Sequence, residues 1–115
     1  MKSNRKTALL FLGFFFLVPF STVSPKSSPV AARGVVSHRL SGCDYFVVAS
    51  KSGYDVLEWF GGHDPDKGDV LIGGYEAYGM HDIYDETADE TLNVWTEEYW
   101  LSKADALEKL TEHCE

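Results

Sequence analysis

The sequence predicts a mainly β (α+β) protein: a small antiparallel five-stranded meander, or an OB- or SH3-like barrel, with a C-terminal α-helix. Short runs rich in β-branched and aromatic residues alternate with Gly, Pro and Asp between residues 44 and 100, which is typical of strands joined by turns. From residue 103 the apolar residues recur at helical rather than strand spacing. Residues 43–115 are therefore predicted to fold as one small domain, with the helix at 103–113.

The strand predictions follow from local composition. The run 45–49 is dense in β-branched and aromatic residues, and the turn signal at 50–53 links it to a second such run. Gly53 suits the positive φ of a tight turn, so the two runs are predicted to form a hairpin. Residues 33–42 are expected to form either a flexible start or an additional edge strand. The five predicted strands cover residues 45–49, 54–60, 69–75, 80–84 and 91–100.

The helix prediction rests on a capping signal and an apolar face. Ser102 is a favourable N-cap residue, and Asp105 three positions later completes a weaker form of the capping box. Leu101 precedes the cap and can pack on Ala106 as a hydrophobic staple. The face predicted to contact the sheet carries Ala104, Leu107, Leu110 and Cys114.

The first 32 residues have the layout of a secretory signal. Lys2, Arg5 and Lys6 precede an uncharged apolar run, which Pro19 interrupts before a Ser- and Pro-rich stretch. Cleavage is predicted between residues 20 and 32. A secreted or periplasmic location follows, with no stable membrane association once the signal is removed. The alternative is a retained anchor, because the uncharged run is near the lower length limit for spanning a bilayer.

The two cysteines, Cys43 and Cys114, bracket the domain, and in an exported chain such a pair predicts a disulfide. In the chain-entropy description, closing a loop of about 70 residues stabilises a fold by about 4 kcal/mol. That gain is comparable to the whole free energy of unfolding of a small domain. The alternative is a pair of buried free thiols. Two cysteines this far apart do not match a zinc ligand set.

The charge balance limits the classes of partner. The formal net charge is −8, and from Arg33 onward six basic side chains stand against all 18 acidic ones, a net charge of about −12. This excess argues against nucleic-acid binding and against anionic lipid headgroups, since both require a basic surface. It permits a cationic enzyme or peptide as partner. The simpler explanation is that charge keeps an exported domain soluble.

No cofactor is expected, although a few residues are weak candidates for metal ligands. The Asp-rich loop 64–69 offers oxygen ligands but fails the spacing of an EF-hand, whose sixth position is Gly and twelfth Glu. Two His-Asp dipeptides place imidazole beside carboxylate, a combination that suits zinc or manganese. The candidates are His63, Asp64, Asp66, Asp69 and His81.

No catalytic residue is predicted. The Ser residues stand outside the Gly-x-Ser-x-Gly context of a hydrolase nucleophile, and both cysteines are expected to be bridged. Adjacent acidic residues diverge on a strand and so do not form an acid–base pair. Glu58 is the one acid embedded in an apolar strand, where a raised pKa would be of interest.

The aromatic residues are the stronger functional signal, because flat rings with polar edges suit sugar and peptide recognition. Trp95, Tyr99 and Trp100 are the predicted ligand-binding residues, whereas Trp59 is expected in the core. The predicted function is an exported, non-catalytic binding domain for a protein, peptide or glycan. The alternatives are an acidic, inhibitor-like protein that docks on a cationic enzyme or peptide, and a small metal-dependent hydrolase.

Overall fold

A computed structural model describes residues 31–114, which form a closed antiparallel β-barrel with one helix packed on its outside. The predicted fold class, a small barrel with a C-terminal helix, is confirmed. The predicted signal lies outside the described residues, apart from positions 31 and 32. The elements are β1 (Ala32–Arg39), β2 (Tyr45–Ser50), β3 (Gly53–Gly62), β4 (Val70–Gly73), β5 (Gly79–Asp85), β6 (Glu90–Leu101) and α1 (Lys103–Cys114).

The strand order around the barrel is β1-β2-β3-β6-β5-β4, and β4 pairs with β1 to close the ring. This order corrects two details of the prediction. Six strands are present rather than five, because residues 32–39 pair with both β2 and β4 instead of forming a flexible start or an edge. The path is also not a simple meander, since β3 pairs with β6 and not with β4.

The connection between β3 and β4 crosses one end of the barrel, because these two strands lie on opposite sides of the ring. We call this connection, residues 63–69, the crossing loop. Backbone hydrogen bonds hold both of its ends. The His63 amide donates to the Thr91 carbonyl at 3.0 Å, and the Gly68 amide donates to the Val36 carbonyl at 2.8 Å. The crossing loop therefore covers this end of the barrel.

Inward-facing side chains of all six strands fill the barrel with one apolar core. Tyr75, from the connection between β4 and β5, is the largest fully buried side chain, and its hydroxyl donates to the Leu71 carbonyl at 3.2 Å. A Cβ on Gly34 would lie 2.9 Å from that hydroxyl and 2.7 Å from Val48, so this close approach requires glycine. The core comprises Ala32, Val36, Phe46, Val48, Leu57, Leu71, Tyr75, Ile83, Leu92 and Val94.

The helix α1 packs across the outer face of β2 and β3 and forms a second, smaller core. Ser102 caps it as predicted, since its Oγ accepts a first-turn backbone amide at 3.1 Å. The predicted face is corrected at Ala104, which is exposed, because the buried residues Ala106 and Leu110 are four positions apart and share one stripe. No helix among the described residues is long and apolar enough to cross a membrane. The second core comprises Val47, Val56, Ala106 and Leu110, with Tyr45, Tyr54, Leu101 and Cys114 at its margin.

Cys43 and Cys114 form the predicted disulfide, with their Cα atoms 5.5 Å apart and the residues 71 positions apart in sequence. The bridge joins the turn before β2 to the last turn of α1. Beside it, the ring of His113 stacks on Tyr45 with the centroids 4.0 Å apart. The helix is thus tied to the barrel by a covalent bond at its C-terminal end and by the second core along its length.

Replacing both cysteines, Cys43→Ser with Cys114→Ser, is expected to lower the free energy of unfolding by about 4 kcal/mol. The physical reason is that the unfolded chain regains the freedom of the long closed loop, while the native contacts remain. Urea denaturation followed by circular dichroism measures this change. An unchanged midpoint at an unchanged slope would contradict a stabilising role for the bridge.

Trp59 and Trp95 are expected to respond differently to truncation. Trp59 lies at the margin of the barrel core, half-buried, and its Nε1 donates to the His63 carbonyl at 2.9 Å, whereas Trp95 is 39% exposed. Trp59→Ala should therefore cost about 3 kcal/mol, and Trp95→Ala should leave the melting temperature almost unchanged. Thermal unfolding of the two single variants tests this contrast. Equal losses would show that Trp95 is also a structural residue.

Candidate functional site

The two ends of the barrel differ in their chemistry. One end, which we call the open end, carries a cleft of about 720 Å³ between the start of β1, the β2–β3 turn and the β4–β5 connection. The other, the closed end, is covered by the crossing loop. A cleft of this volume lies in the range of small-ligand sites. Its lining includes Ala32, Ser50, Lys51, Glu76, Ala77 and Trp100.

Three aromatic rings stand together at the open end, and we call Tyr78, Tyr99 and Trp100 the aromatic platform. The ring centroids of Tyr78 and Tyr99 are 5.0 Å apart, and those of Tyr99 and Trp100 are 5.1 Å apart, both edge to face. Tyr78 is 68% exposed and Trp100 is 60% exposed. Large rings grouped in solvent are typical of recognition surfaces.

The backbone of Trp100 is held in an uncommon conformation. Its φ is 60°, in the left-handed region that a bulky residue rarely adopts. The Trp100 amide donates to Oδ1 of Asp55 at 2.9 Å. Gly53 approaches so closely that a Cβ there would lie 3.1 Å from the Trp100 Cα, and Gly53 itself has a φ of 138°. The register of the β3–β6 pair shifts at this point, between Tyr54 and Val56, and an uncommon backbone conformation beside a cleft makes Trp100 a candidate functional residue.

Asp55 is a fully buried carboxyl group next to two cleft residues, Trp100 and Glu76. Burial raises the pKa of Asp55 to about 7, and the Glu76 carboxylate adds to the rise, whereas the Trp100 amide opposes it. Among the described residues, Asp55 Oδ2 has no donor while both acids are ionised. A proton on Oδ2 allows donation to Glu76, which also accepts the Ser50 hydroxyl at 2.8 Å. The Glu76 carboxylate therefore favours the protonated form of Asp55.

At the closed end, three polar side chains converge, two from the crossing loop and one from β5. His63 begins the crossing loop, Asp69 ends it, and Asp85 is the last residue of β5. His63 Nε2 lies 3.1 Å from Asp85 Oδ2 and 3.6 Å from Asp69 Oδ2. One nitrogen or oxygen atom from each residue lies within 4.8 Å of the other two. We call these three residues the polar triad.

The polar triad is shielded from solvent: the side chain of Asp85 is fully buried, and those of Asp69 and His63 are mostly buried. Burial raises the pKa of Asp85, and the adjacent Asp69 carboxylate adds to the rise. Burial also acts to raise the pKa of Asp69, but the adjacent Asp85 carboxyl group, the Asp66 amide and the His63 imidazole lower it overall. The two acids therefore share a proton or require a compensating positive charge.

The predicted ligand-binding residues fall into two places. Tyr99 and Trp100 meet in the aromatic platform. Trp95 lies opposite Met80 in the β5–β6 pair, and within residues 31–114 no ring stacking joins it to the platform. Both places are exposed, but only the end of β6 groups several aromatic rings together.

The structure brings together two of the five candidate metal ligands, His63 and Asp69. Asp64 instead forms an ion pair with Arg39 and is not part of the triad. The remaining candidates, whose side chains are outside the polar triad, are Asp66 and His81.

Residues of these sites that the sequence predictions omitted include Asp55, Tyr78 and Asp85. Glu58 attracts notice through its apolar neighbours, but it is only half-buried. Side chains alternate between the two faces of a strand, so Asp55 lies on the same inner face as the buried Leu57. This alternation was the sequence signal that could have identified Asp55. Asp85 has no comparable local signal, because its role depends on the path of the crossing loop.

Comparison of the chain with protein-family models, with curated proteins and with solved structures finds no match. A barrel architecture alone does not define an activity, since one fold can host many functions. The function is therefore inferred from the residues of the two barrel ends and from their geometry.

Asp55 is expected to make the protein less stable as the pH rises from about 4 to about 7. Its pKa is about 7 in the folded protein and about 3.9 in an unfolded chain, so over this interval the folded state keeps a proton that the unfolded state has lost. The stability lost by pH 8 is on the order of 2–4 kcal/mol. Asp55→Asn keeps an oxygen for the Trp100 amide and does not titrate. It should therefore be more stable than wild type at pH 8 and similar at pH 4.

Urea unfolding of wild type and Asp55→Asn across this pH range measures the difference in free energy of unfolding. Asp44→Asn is the matched control, because Asp44 is exposed and the substitution removes the same charge. The control should differ from wild type by the same small amount at each pH. A gap between Asp55→Asn and wild type that does not widen towards pH 8 would contradict a raised pKa for Asp55.

Proposed function

We propose that the protein is an exported, non-catalytic binding domain that takes a glycan at the open end of its barrel. The observation that carries this proposal is the aromatic platform beside the cleft, with exposed Trp100 held by Asp55 and Gly53. Sugar rings present C–H faces that pack on flat aromatic rings, and their hydroxyls need hydrogen-bond partners. Ser50 and Glu76 in the cleft offer such partners.

A glycan fits this end better than an extended peptide. Many extended peptides bind by adding a strand to a free sheet edge, where backbone hydrogen bonds supply the affinity. In the part of the chain that the structure describes, every strand of the barrel has a neighbour on both sides, so no free edge is offered. Recognition at the open end therefore depends on side chains, and the exposed rings of Tyr78 and Trp100 are the largest of them.

Export is supported by two independent features of the chain. The charged and then apolar order of the first residues is typical of a secretory signal. The Cys43–Cys114 disulfide is of the kind that persists in oxidising compartments. A large acidic excess adds solubility outside the cell or in the periplasm.

Oligosaccharide binding is expected to depend on Trp100 and not on Trp95. A glycan array with the purified protein identifies the oligosaccharide, and isothermal titration calorimetry measures its affinity. Trp100→Ala should weaken binding at least tenfold, because it removes an exposed stacking ring at the centre of the site, worth about 1.4 kcal/mol or more. Tyr78→Ala should weaken binding in the same direction.

Trp95→Ala is the matched control, since it removes an exposed tryptophan from the same strand but outside the platform. It should bind the oligosaccharide as tightly as wild type. Equal losses in Trp95→Ala and Trp100→Ala, or no oligosaccharide bound at all, would contradict the proposal. If the protein instead captures a cationic peptide with an affinity that falls steeply with salt, the acidic docking alternative replaces it.

A further inference from the structure

With both carboxyl groups ionised, the polar triad at the closed end carries more negative charge than its surroundings balance. Two carboxyl groups, Asp69 and Asp85, share a site that is shielded from water, where unpaired charge is costly. His63 supplies at most one positive charge when it is protonated. Arg39, which contacts the crossing loop, is already paired with Asp64. A further positive charge is therefore needed for both carboxylates to remain ionised.

Two buried polar atoms of the triad lie close together without a hydrogen-bond partner in the described part of the chain. Asp85 Oδ1 accepts the Ala88 amide at 3.0 Å, while its Oδ2 is buried and has no hydrogen-bond partner among residues 31–114. His63 Nε2 is also buried without a hydrogen bond, 3.1 Å from that oxygen. Asp69 Oδ2 lies 3.6 Å from the same nitrogen and is oriented by the Asp66 amide at 3.1 Å. Two carboxylate oxygens, each residue held by a backbone amide, and an imidazole nitrogen thus lie within 4.8 Å of one another.

We propose that His63, Asp69 and Asp85 bind a divalent transition-metal cation, with Zn²⁺ as the preferred ion. The two carboxylates balance its charge, and a neutral imidazole is a third ligand of the type that zinc favours. Ligand atoms bound at about 2.0–2.2 Å from zinc lie roughly 3.0–3.6 Å from one another. The separations of 3.1 and 3.6 Å fit that range. Ca²⁺ fits poorly, because it takes six to eight oxygen ligands.

The surroundings indicate a structural ion rather than a catalytic one. The Glu90 carboxylate lies 3.9 Å from His63 Nδ1, on the ring nitrogen that faces away from the proposed ion, and so favours the orientation of the imidazole. Asp85 is fully buried, which leaves little room for a substrate beside the metal. The ion instead fixes the crossing loop against the end of β5. This inference does not depend on the proposed glycan site, which lies at the opposite end of the barrel.

The test uses tag-free protein from which metal has been removed with a chelator. Isothermal titration calorimetry with ZnCl₂ is expected to show one Zn²⁺ bound per chain, and Co²⁺ is expected to give visible absorption bands from a low-coordinate site. His63→Gln and Asp85→Asn should each weaken Zn²⁺ binding at least tenfold and abolish the Co²⁺ bands. His81→Gln and Asp82→Asn are matched controls, because they make the same changes in the other His-Asp dipeptide, and they should bind as wild type.

Circular dichroism establishes that each variant is folded before it is titrated. If Asp85→Asn fails to fold, the result for His63→Gln decides the test. The His63 side chain is partly exposed, and its loss leaves the barrel core intact. Zn²⁺ should also raise the melting temperature of wild type but not that of His63→Gln, because only a protein that binds the ion is stabilised by it. The proposal is overturned if wild type shows no saturable Zn²⁺ binding, or if His63→Gln binds Zn²⁺ as tightly as wild type.

Discussion

The pairing of β4 with β1 is the constraint on which the rest of the structure depends. It closes the ring of strands, leaves no free edge among the described residues and forces the chain to cross the barrel between β3 and β4. The crossing loop brings His63 and Asp69 over one end, where Asp85 completes the polar triad. The return connection after β4 places Tyr75 in the core and Glu76 at the cleft of the other end. The pairing that closes the ring therefore gives the barrel two ends with different functional side chains.

The open end combines three features that a stable barrel does not need. A carboxyl group, Asp55, is fully buried with a pKa of about 7, a bulky residue occupies a left-handed backbone conformation, and large rings stand in solvent. The buried carboxyl group and the strained backbone each cost stability when they are considered alone. They coincide at Trp100, whose amide is bound by Asp55 and whose ring contacts Tyr99. Residues that depart from the usual preferences for burial and backbone conformation, and that cluster at one place, are typical of functional sites.

The parts of the structure that local physics determines could be predicted from the sequence. The β2–β3 hairpin, the positive φ of Gly53, the Ser102 cap and the disulfide all follow from short-range patterns or from cysteine number. The closure of the ring could not be predicted, because the pairing of β4 with β1 joins residues that are far apart in sequence and leaves no local signal. Asp85 was missed for the same reason, whereas His63 and Asp69 were found through their residue types alone. Strand alternation was enough to predict that Asp55 faces the barrel interior. It is a better guide to burial than the apolar neighbours that singled out Glu58.

The central claim is that the barrel interior holds the exposed Trp100 in place through the buried Asp55. Amide hydrogen exchange at Trp100, followed by NMR, measures this most directly, because the amide is bound by a side chain rather than by a strand partner. The account predicts that the Trp100 amide is protected as strongly as the amides of the β3 core around Leu57. Exchange at the rate of the exposed turn residues Lys51 and Ser52 would contradict it.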